Sequence, residues 1–356
     1  MNIAVVLIAT IVVSIVATVV VRTFARTRVV DLPIKERKIH TRPTPLLGGV
    51  AVIFAFIFGV ILAWPLLTHG YLLPKHLTGV IIGALILLIG GALDDRYDLS
   101  PRFQIIFPIF AIISLIIGGI GIEYITHPFG GTLRLDSIHI LLFHWNGLPY
   151  SITLLADLFT MVWLLGMMYT TKFLDGLDGL VSGIAIIGSL IIFFLSISKT
   201  VYQPETSWIA LIAAGAFFGF LLFNMNPASI FLGESGSLFA GFILGVLAII
   251  SGGKIATALL IMGIPILDVL WIIARRLFFE KRSPFQGDRK HLHLRLVDVG
   301  FSQRQAVYLL YGLTTLFGAG SLFLQSKEKL IAFIILFVVM LILGVIVVWK
   351  HRQKQQ

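Results

Sequence analysis

Eleven apolar stretches separated by short polar loops fix the fold class before any single residue is considered. They run over 3–21, 46–68, 77–93, 103–122, 152–171, 179–198, 207–224, 237–251, 255–274, 304–324 and 330–349. About 20 mostly apolar residues cross a bilayer as a helix, and in lipid the backbone polar groups must be satisfied within the chain. The reading is an all-α polytopic integral membrane protein, one membrane-embedded domain over residues 1–356, with about eleven transmembrane helices. At 58% hydrophobic and 12% charged residues, the chain carries about half the charge of an ordinary soluble domain. It has no cysteine, which excludes disulfides, thiolate catalysis and cysteine metal sites.

Lysine and arginine set the sidedness. The first stretch has no basic residue before it and Arg22, Arg26 and Arg28 after it, so it reads as a retained span with its N-terminus outside, not as a cleaved signal. Loops 22–45, 94–102, 172–178, 225–236 and 275–303, with the start of the next span and the C-terminal tail, then hold 21 Lys and Arg against 6 in the opposite set. That bias places the first set, and the C-terminus, in the cytoplasm. It also explains the net charge of +10 through the anionic leaflet and an anionic substrate, with no nucleic-acid partner. The outer segment 123–150 carries turn signals, Pro128-Phe129-Gly130-Gly131 and Asn146-Gly147, that predict a small amphipathic hairpin.

The unusual polar residues fall on the cytoplasmic side of this map. Asp94-Asp95 closes the third span, where a helix dipole disfavours acids. Asp175-Gly176-Leu177-Asp178-Gly179-Leu180 follows Lys172; as the start of a helix it would put both aspartates on one face, and helix capping is the plainer alternative. Asn224 precedes Pro227-Ala228 and Gly233-Glu234-Ser235-Gly236-Ser237, where a carboxylate suited to Mg²⁺ sits among small residues. Arg289, His291 and His293 lie in the longest basic loop; the i, i+2 histidines diverge in regular structure, making a poor zinc pair and a better diphosphate-binding arm. Arg37 and His40 lie in a Pro-rich first loop that reads either as a shaped site or as a lipid-headgroup contact. Carboxylates for a metal, cations for phosphates and a membrane setting together fit phosphoryl transfer between a soluble phosphoanhydride and a lipid acceptor.

On these motifs the chain resembles the polyprenyl-phosphate N-acetylhexosamine-1-phosphate transferase family over most of its length. The matching segments are Pro33 to Gly49, Asp94-Asp95, Asp175 to Leu180, Asn224 to Ser237 and Ser283 to His293. The resemblance implies transfer of a sugar-1-phosphate, most simply N-acetylglucosamine-1-phosphate, from a UDP-sugar to undecaprenyl phosphate in the bacterial inner membrane. Mg²⁺, or Mn²⁺ in its place, would assist, UMP would leave, and the product would feed an envelope polymer such as teichoic acid or lipopolysaccharide. A homodimer is compatible with it. By the same resemblance, Asp94 positions or deprotonates the lipid phosphate and Asp95 supports metal or diphosphate. Asp175 and Asp178 bind diphosphate, metal or uridine, and Glu234, with Asp175, holds the metal. Asn224 contacts uridine, Arg289, His291 and His293 meet the sugar-phosphate end, and Lys172, Arg37 and His40 join the substrate-binding set.

Three positions depart from the family pattern: Lys172 stands where Asn is common, Glu234 where Asp is usual, and Leu294 where a further His is common. Lys172 and Glu234 read as a compensating pair, the longer carboxylate reaching the metal or bridging to the ammonium. The competing readings are a relative that binds ligand without turnover and an ion-coupled transporter built on Asp157, Asp268 and the aspartate pair.

Overall fold

The computed structural model describes residues 2–33, 42–127, 129–145, 147–199, 201–252, 254–281 and 291–355. Arg37, His40 and Arg289 lie outside the described residues. The chain is a helical bundle: α1 (Ile3–Ala25), α2 (Gly48–Leu67), α3 (Pro74–Tyr97), α4 (Pro101–Gln104), α5 (Ile106–Ile117), α6 (Leu154–Leu174) and α7 (Leu180–Ile197). It continues through α8 (Pro204–Asn224), α9 (Gly233–Ile250), α10 (Ile255–Ile261), α11 (Gly263–Ala274), α12 (Leu292–Asp298), α13 (Gln303–Gly320) and α14 (Ser326–Gln355).

Each of the eleven apolar stretches falls on helix, but not each is a full span. Among the described residues eight helices are long and apolar enough to cross a membrane, or nine if α10 and α11 count as one broken span. Those two meet at an angle of 78°. The break has a local cause. Pro265 has no N–H for the Ile261 carbonyl and its ring crowds that position, so α10 ends at Ile261. Stretch 103–122 forms only the short α4 and the 12-residue α5 before Gly118-Gly119 ends it. Stretch 304–324 forms α13, whose Gln303, Arg304, Gln305, two tyrosines and two threonines dilute its apolar character.

The core sits on α9. Its apolar window is 94% buried, against 11% for α14 at the periphery. Helices α2, α3, α6 and α7 pack around it, and Phe56, Phe217, Phe239 and Phe242 fill the space between them with no exposed surface. Lipid gives helices no hydrophobic reason to associate, so close packing through small side chains has to hold the bundle together.

The strands are small. Val30–Asp31 (β1) pairs antiparallel with Thr44–Pro45 (β2), closing the first loop on itself. Tyr124–Thr126 (β3) pairs with Thr132–Arg134 (β4), and His139–Trp145 (β5) with Leu148–Thr153 (β6). The Gly130-Gly131 turn signal joins β3 to β4 and Gly147 joins β5 to β6, all with positive φ. The expected single hairpin is therefore two.

Candidate active site

Glu234 is delivered by backbone pairing. Phe231 N–H donates to the Pro45 carbonyl (2.8 Å), Gly48 N–H to Phe231 (3.0 Å) and Gly49 N–H to Leu232 (2.7 Å). This ladder ties the end of the first loop to the entry of α9. Two glycines then let three helices converge: a Cβ on Gly49 would lie 2.0 Å from the Gly236 nitrogen, and one on Gly91 2.2 Å from the Ser235 backbone. Gly233 has φ +75°, and a Cβ there would meet Asp95 Oδ2 at 2.4 Å. Asp95 accepts the Glu234 N–H through Oδ1 at 2.9 Å. A carboxylate of α3 thus caps the N-terminus of α9, where the helix dipole favours negative charge. The other oxygen, Asp95 Oδ2, is buried and accepts no hydrogen bond from the described residues.

Lys172 lies in the last turn of α6, inside the helix that was expected to end at 171. Its ammonium is 2.9 Å from Glu234 Oε2 and 3.9 Å from Asp94 Oδ2, and donates to Gln104 Oε1 at 3.0 Å. Asp94 is held in turn: Oδ1 accepts Leu99 N–H at 2.8 Å and the Gln104 amide at 3.1 Å. The compensating pair read from the sequence is an ion pair in the structure, and its other partners are Gln104 and Asp94.

The Asp175–Gly179 segment is a connector, not the first turn of a helix. Asp175 ends α6, and α7 starts only at Leu180, after Gly179 at φ +80°. The two aspartates do not share a helical face, though both line one cleft. Asp178 Oδ2 accepts the Asn226 side chain at 2.8 Å and Ala228 N–H at 3.0 Å, tying the connector to the Asn224–Leu232 loop. Asp175 opens onto the cleft. Burial first, then the charges of Glu234 and Asp178, push its carboxyl up to about 8.

Asn224 spends its side chain inside the protein. Its Oδ1 accepts Gly179 N–H (3.1 Å) and the Ser182 hydroxyl (2.9 Å), and its amide donates to the Ile230 carbonyl (3.0 Å). It is a joint between the connector and the loop. Asn224→Ala is expected to cost about 1–3 kcal/mol by stranding buried groups. A lowered melting temperature with the donor's KM little changed in surviving protein would separate this role from uridine binding.

The histidines meet instead of diverging. His291 is extended (φ −62°, ψ 146°) and caps α12, while His293 lies inside that helix, so the i, i+2 pair straddles a change of backbone. Their rings stack with centroids 5.5 Å apart, and Phe173 stacks on His291 at 6.0 Å. Asp268 of α11 anchors them: its carboxylate bonds His291 Nδ1 at 2.9 Å and accepts Leu292 N–H at 3.0 Å. His293 lies against Gly176, where a Cβ would come within 2.5 Å of Nε2. Burial pushes its imidazole down to about 4, so the ring is neutral at physiological pH. The sequence places Asp268 only in the transporter alternative. An acid inside an apolar helix is itself a signal of a buried partner.

These elements enclose a cleft of about 300 Å³ lined by Asp31, Asp95, Lys172, Asp175, Asp178, Asn224, Glu234 and Gln303 among others. Among the described lining residues five are acidic and one is basic. Carboxylates gathered in this way attract a hard divalent cation. The orphaned Asp95 Oδ2 and the Asp175 and Glu234 carboxylates face this cleft and are oxygen donors of the kind Mg²⁺ takes, whereas the cluster among the described residues whose ligand atoms lie within 4.8 Å of one another is Asp268, His291 and His293. Asp157, one of the acids of the transporter reading, accepts Thr153 N–H at 2.8 Å and so caps the start of α6.

Residues 77–252 match glycosyl transferase family 4. The chain is 31% identical over 305 residues to the decaprenyl-phosphate N-acetylglucosaminephosphotransferase of Mycolicibacterium smegmatis, covering 78% of this chain and 71% of that one. It is 30% identical over 302 residues to the undecaprenyl-phosphate alpha-N-acetylglucosaminyl 1-phosphate transferase of Escherichia coli, covering 79% and 72%. A probable undecaprenyl-phosphate N-acetylglucosaminyl 1-phosphate transferase of Bacillus subtilis is 28% identical over 342 residues, covering 94% of this chain and 88% of the relative.

Proposed function

The chain belongs to glycosyl transferase family 4, and on that premise we propose that it transfers N-acetylglucosamine-1-phosphate from a UDP-sugar to undecaprenyl phosphate, releasing UMP. The observation that carries the reading is the acidic cleft, in which motifs from α3, the α6–α7 connector and the start of α9 come together. The bias of Lys and Arg supports a cytoplasmic position for this end of the bundle in the inner membrane, where the soluble donor would be.

In the reaction an oxygen of the acceptor phosphate attacks the sugar-bearing phosphorus of the donor. The bond from that phosphorus to the bridging oxygen breaks, and UMP leaves with the electron pair. Such a transfer asks the protein for positioning and charge neutralisation more than for covalent chemistry. Glu234, Asp175 and the free oxygen of Asp95 would hold Mg²⁺, which supplies neutralisation of the donor diphosphate. Asp94, fixed through one oxygen by Leu99 and Gln104, turns the other toward Lys172, and this pair would orient the acceptor phosphate. Asp178 and Asn224 fix the connector and the loop that frame the cleft. Asp268 fixes the His291 ring beside Phe173, at the sugar-phosphate end.

The elevated Asp175 carboxyl gives a pH dependence with a definite sign. Its folded pKa of about 8 lies above the unfolded value, so the protonated state favours folding. That contribution is complete below about pH 4 and is lost as the pH rises through about 8. The metal-free protein is expected to melt lower at pH 9 than at pH 6, and millimolar MgCl₂ to restore more at pH 9, where the carboxylate is bare. Equal Mg²⁺ stabilisation at both pH values would count against Asp175 as a ligand.

The reading is tested by incubating the purified protein with UDP-N-acetylglucosamine, undecaprenyl phosphate and MgCl₂ and quantifying the nucleotide released. UMP in one-to-one ratio with lipid product supports it. UDP as the nucleotide product, or no turnover with any UDP-N-acetylhexosamine, would sink it.

A further inference from the structure

The cleft already contains a cation of its own. Lys172 is largely buried, and its ammonium reaches three groups with different geometry. The contact to Gln104 Oε1 is an aligned hydrogen bond at 3.0 Å. Glu234 Oε2 is just as near, at 2.9 Å, yet that oxygen is buried and accepts no aligned hydrogen bond from the described residues. Lys172 therefore pairs with Glu234 at close range but outside the aligned geometry of its bond to Gln104. The third contact, Asp94 Oδ2, is 3.9 Å away, one ångström beyond a close ion pair.

Gln104 organises the three. Its amide nitrogen donates to Asp94 Oδ1 at 3.1 Å and to the Leu99 carbonyl at 2.9 Å, which fixes the flip of the amide and turns its oxygen to Lys172. The ammonium is thus held at a pivot between two carboxylates, closer to Glu234 than to Asp94.

We propose that Lys172 is a displaceable resident cation: a divalent ion that binds at Glu234 drives the ammonium off that carboxylate and onto Asp94, with Gln104 as the pivot. The proposal rests on the reading of Glu234 as a metal ligand. A metal on Glu234 Oε2 and an ammonium 2.9 Å from the same oxygen repel strongly in a site this poorly solvated, so the two compete. Gln104 needs no rearrangement when the ammonium moves, because its hydrogen bond to Nζ can swing with it. Two consequences follow. Lys172 sets a threshold of metal concentration below which Glu234 stays paired, and metal binding at Glu234 is coupled to neutralisation of Asp94. It also holds the cleft folded without metal, which an uncompensated cluster of carboxylates would resist.

Binding of Mn²⁺ to the purified full-length protein, without substrates, followed by electron paramagnetic resonance of the free ion, tests this. Lys172→Asn and Lys172→Gln are expected to bind Mn²⁺ roughly tenfold tighter or more, since one repelling unit charge is gone. Lys172→Arg keeps the charge and should not tighten binding. Arg102→Gln, which removes an exposed basic residue nearby on α4, should leave the affinity unchanged. Unchanged or weaker binding in Lys172→Asn overturns the proposal, and so does equal tightening in Arg102→Gln, which would show a long-range field effect only. Failure of the underlying reading looks different: there the tight Mn²⁺ site would survive Glu234→Gln.

Discussion

Glu234→Gln is expected to lower the rate of sugar-phosphate transfer by about 10²–10³-fold while leaving the protein folded, a loss of the size seen when one preorganised electrostatic contact to a transition state is removed. Glutamine keeps the shape, and the backbone of residue 234 keeps its hydrogen bond to Asp95. What is lost is the charge that pairs with Lys172 at 2.9 Å and that would hold Mg²⁺. The loss should fall on kcat, with the KM for undecaprenyl phosphate little moved. Glu234→Asp keeps the charge at a shorter reach and should retain more activity than Glu234→Gln. Steady-state assays with matched melting temperatures check this; a Glu234→Gln enzyme within threefold of wild type would remove Glu234 from the centre of the account.

Gly49→Ala is expected to destabilise the fold strongly, since among the described glycines its added Cβ would make the closest approach to backbone. The added Cβ would sit 2.0 Å from the Gly236 nitrogen and 2.4 Å from its Cα, so backbone of α2 or α9 has to move. Overpacking against side chains costs about 1–3 kcal/mol, and backbone cannot rotate away, so about 3 kcal/mol or more is expected here. The Gly48 and Gly49 hydrogen bonds that position Glu234 would go with it, and activity should fall further than stability alone requires. Gly166→Ala is the control, since a Cβ at Gly166 meets nothing within 4 Å. Thermal melts in detergent followed by size-exclusion chromatography should show Gly49→Ala largely aggregated where Gly166→Ala melts like wild type.

The gross architecture was legible because lipid leaves so few options. Twenty-residue apolar runs become helices, and α1 to α3 and α6 to α9 begin and end close to where hydropathy put them. The α10–α11 bend was not read, although Pro265 was there to read; a proline three residues into a helix breaks a span only if the preceding residues cannot continue past it, and that depends on packing. The 172–178 segment reads as a loop before a span at 179, and the structure makes Asp175 to Gly179 a connector before α7; what fails is the alternative of a helix start with both aspartates on one face.

Within the site, the acidic residues were found because charge beside apolar sequence stands out. Of their partners, Lys172 is legible in the sequence and Gln104 is not. Gln104 carries no such signal, and only the fold brings it between Asp94 and Lys172. The family resemblance gives Asn224 a uridine contact; in the structure it lines the cleft, and its side-chain hydrogen bonds go to Gly179, Ser182 and Ile230. The histidines were expected to part because regular structure parts them; His291 sits just outside α12 and His293 inside it, and that junction is invisible without the fold.

The central claim is that the acidic cleft moves a sugar together with its phosphate. UDP-N-acetylglucosamine labelled with ³²P in the sugar-bearing phosphate tests it in one measurement. With undecaprenyl phosphate and MgCl₂, the label should pass into the organic phase with UMP left in water, and Glu234→Gln should suppress that transfer. Label that stays in the water phase as UDP while the sugar enters the lipid would contradict the account.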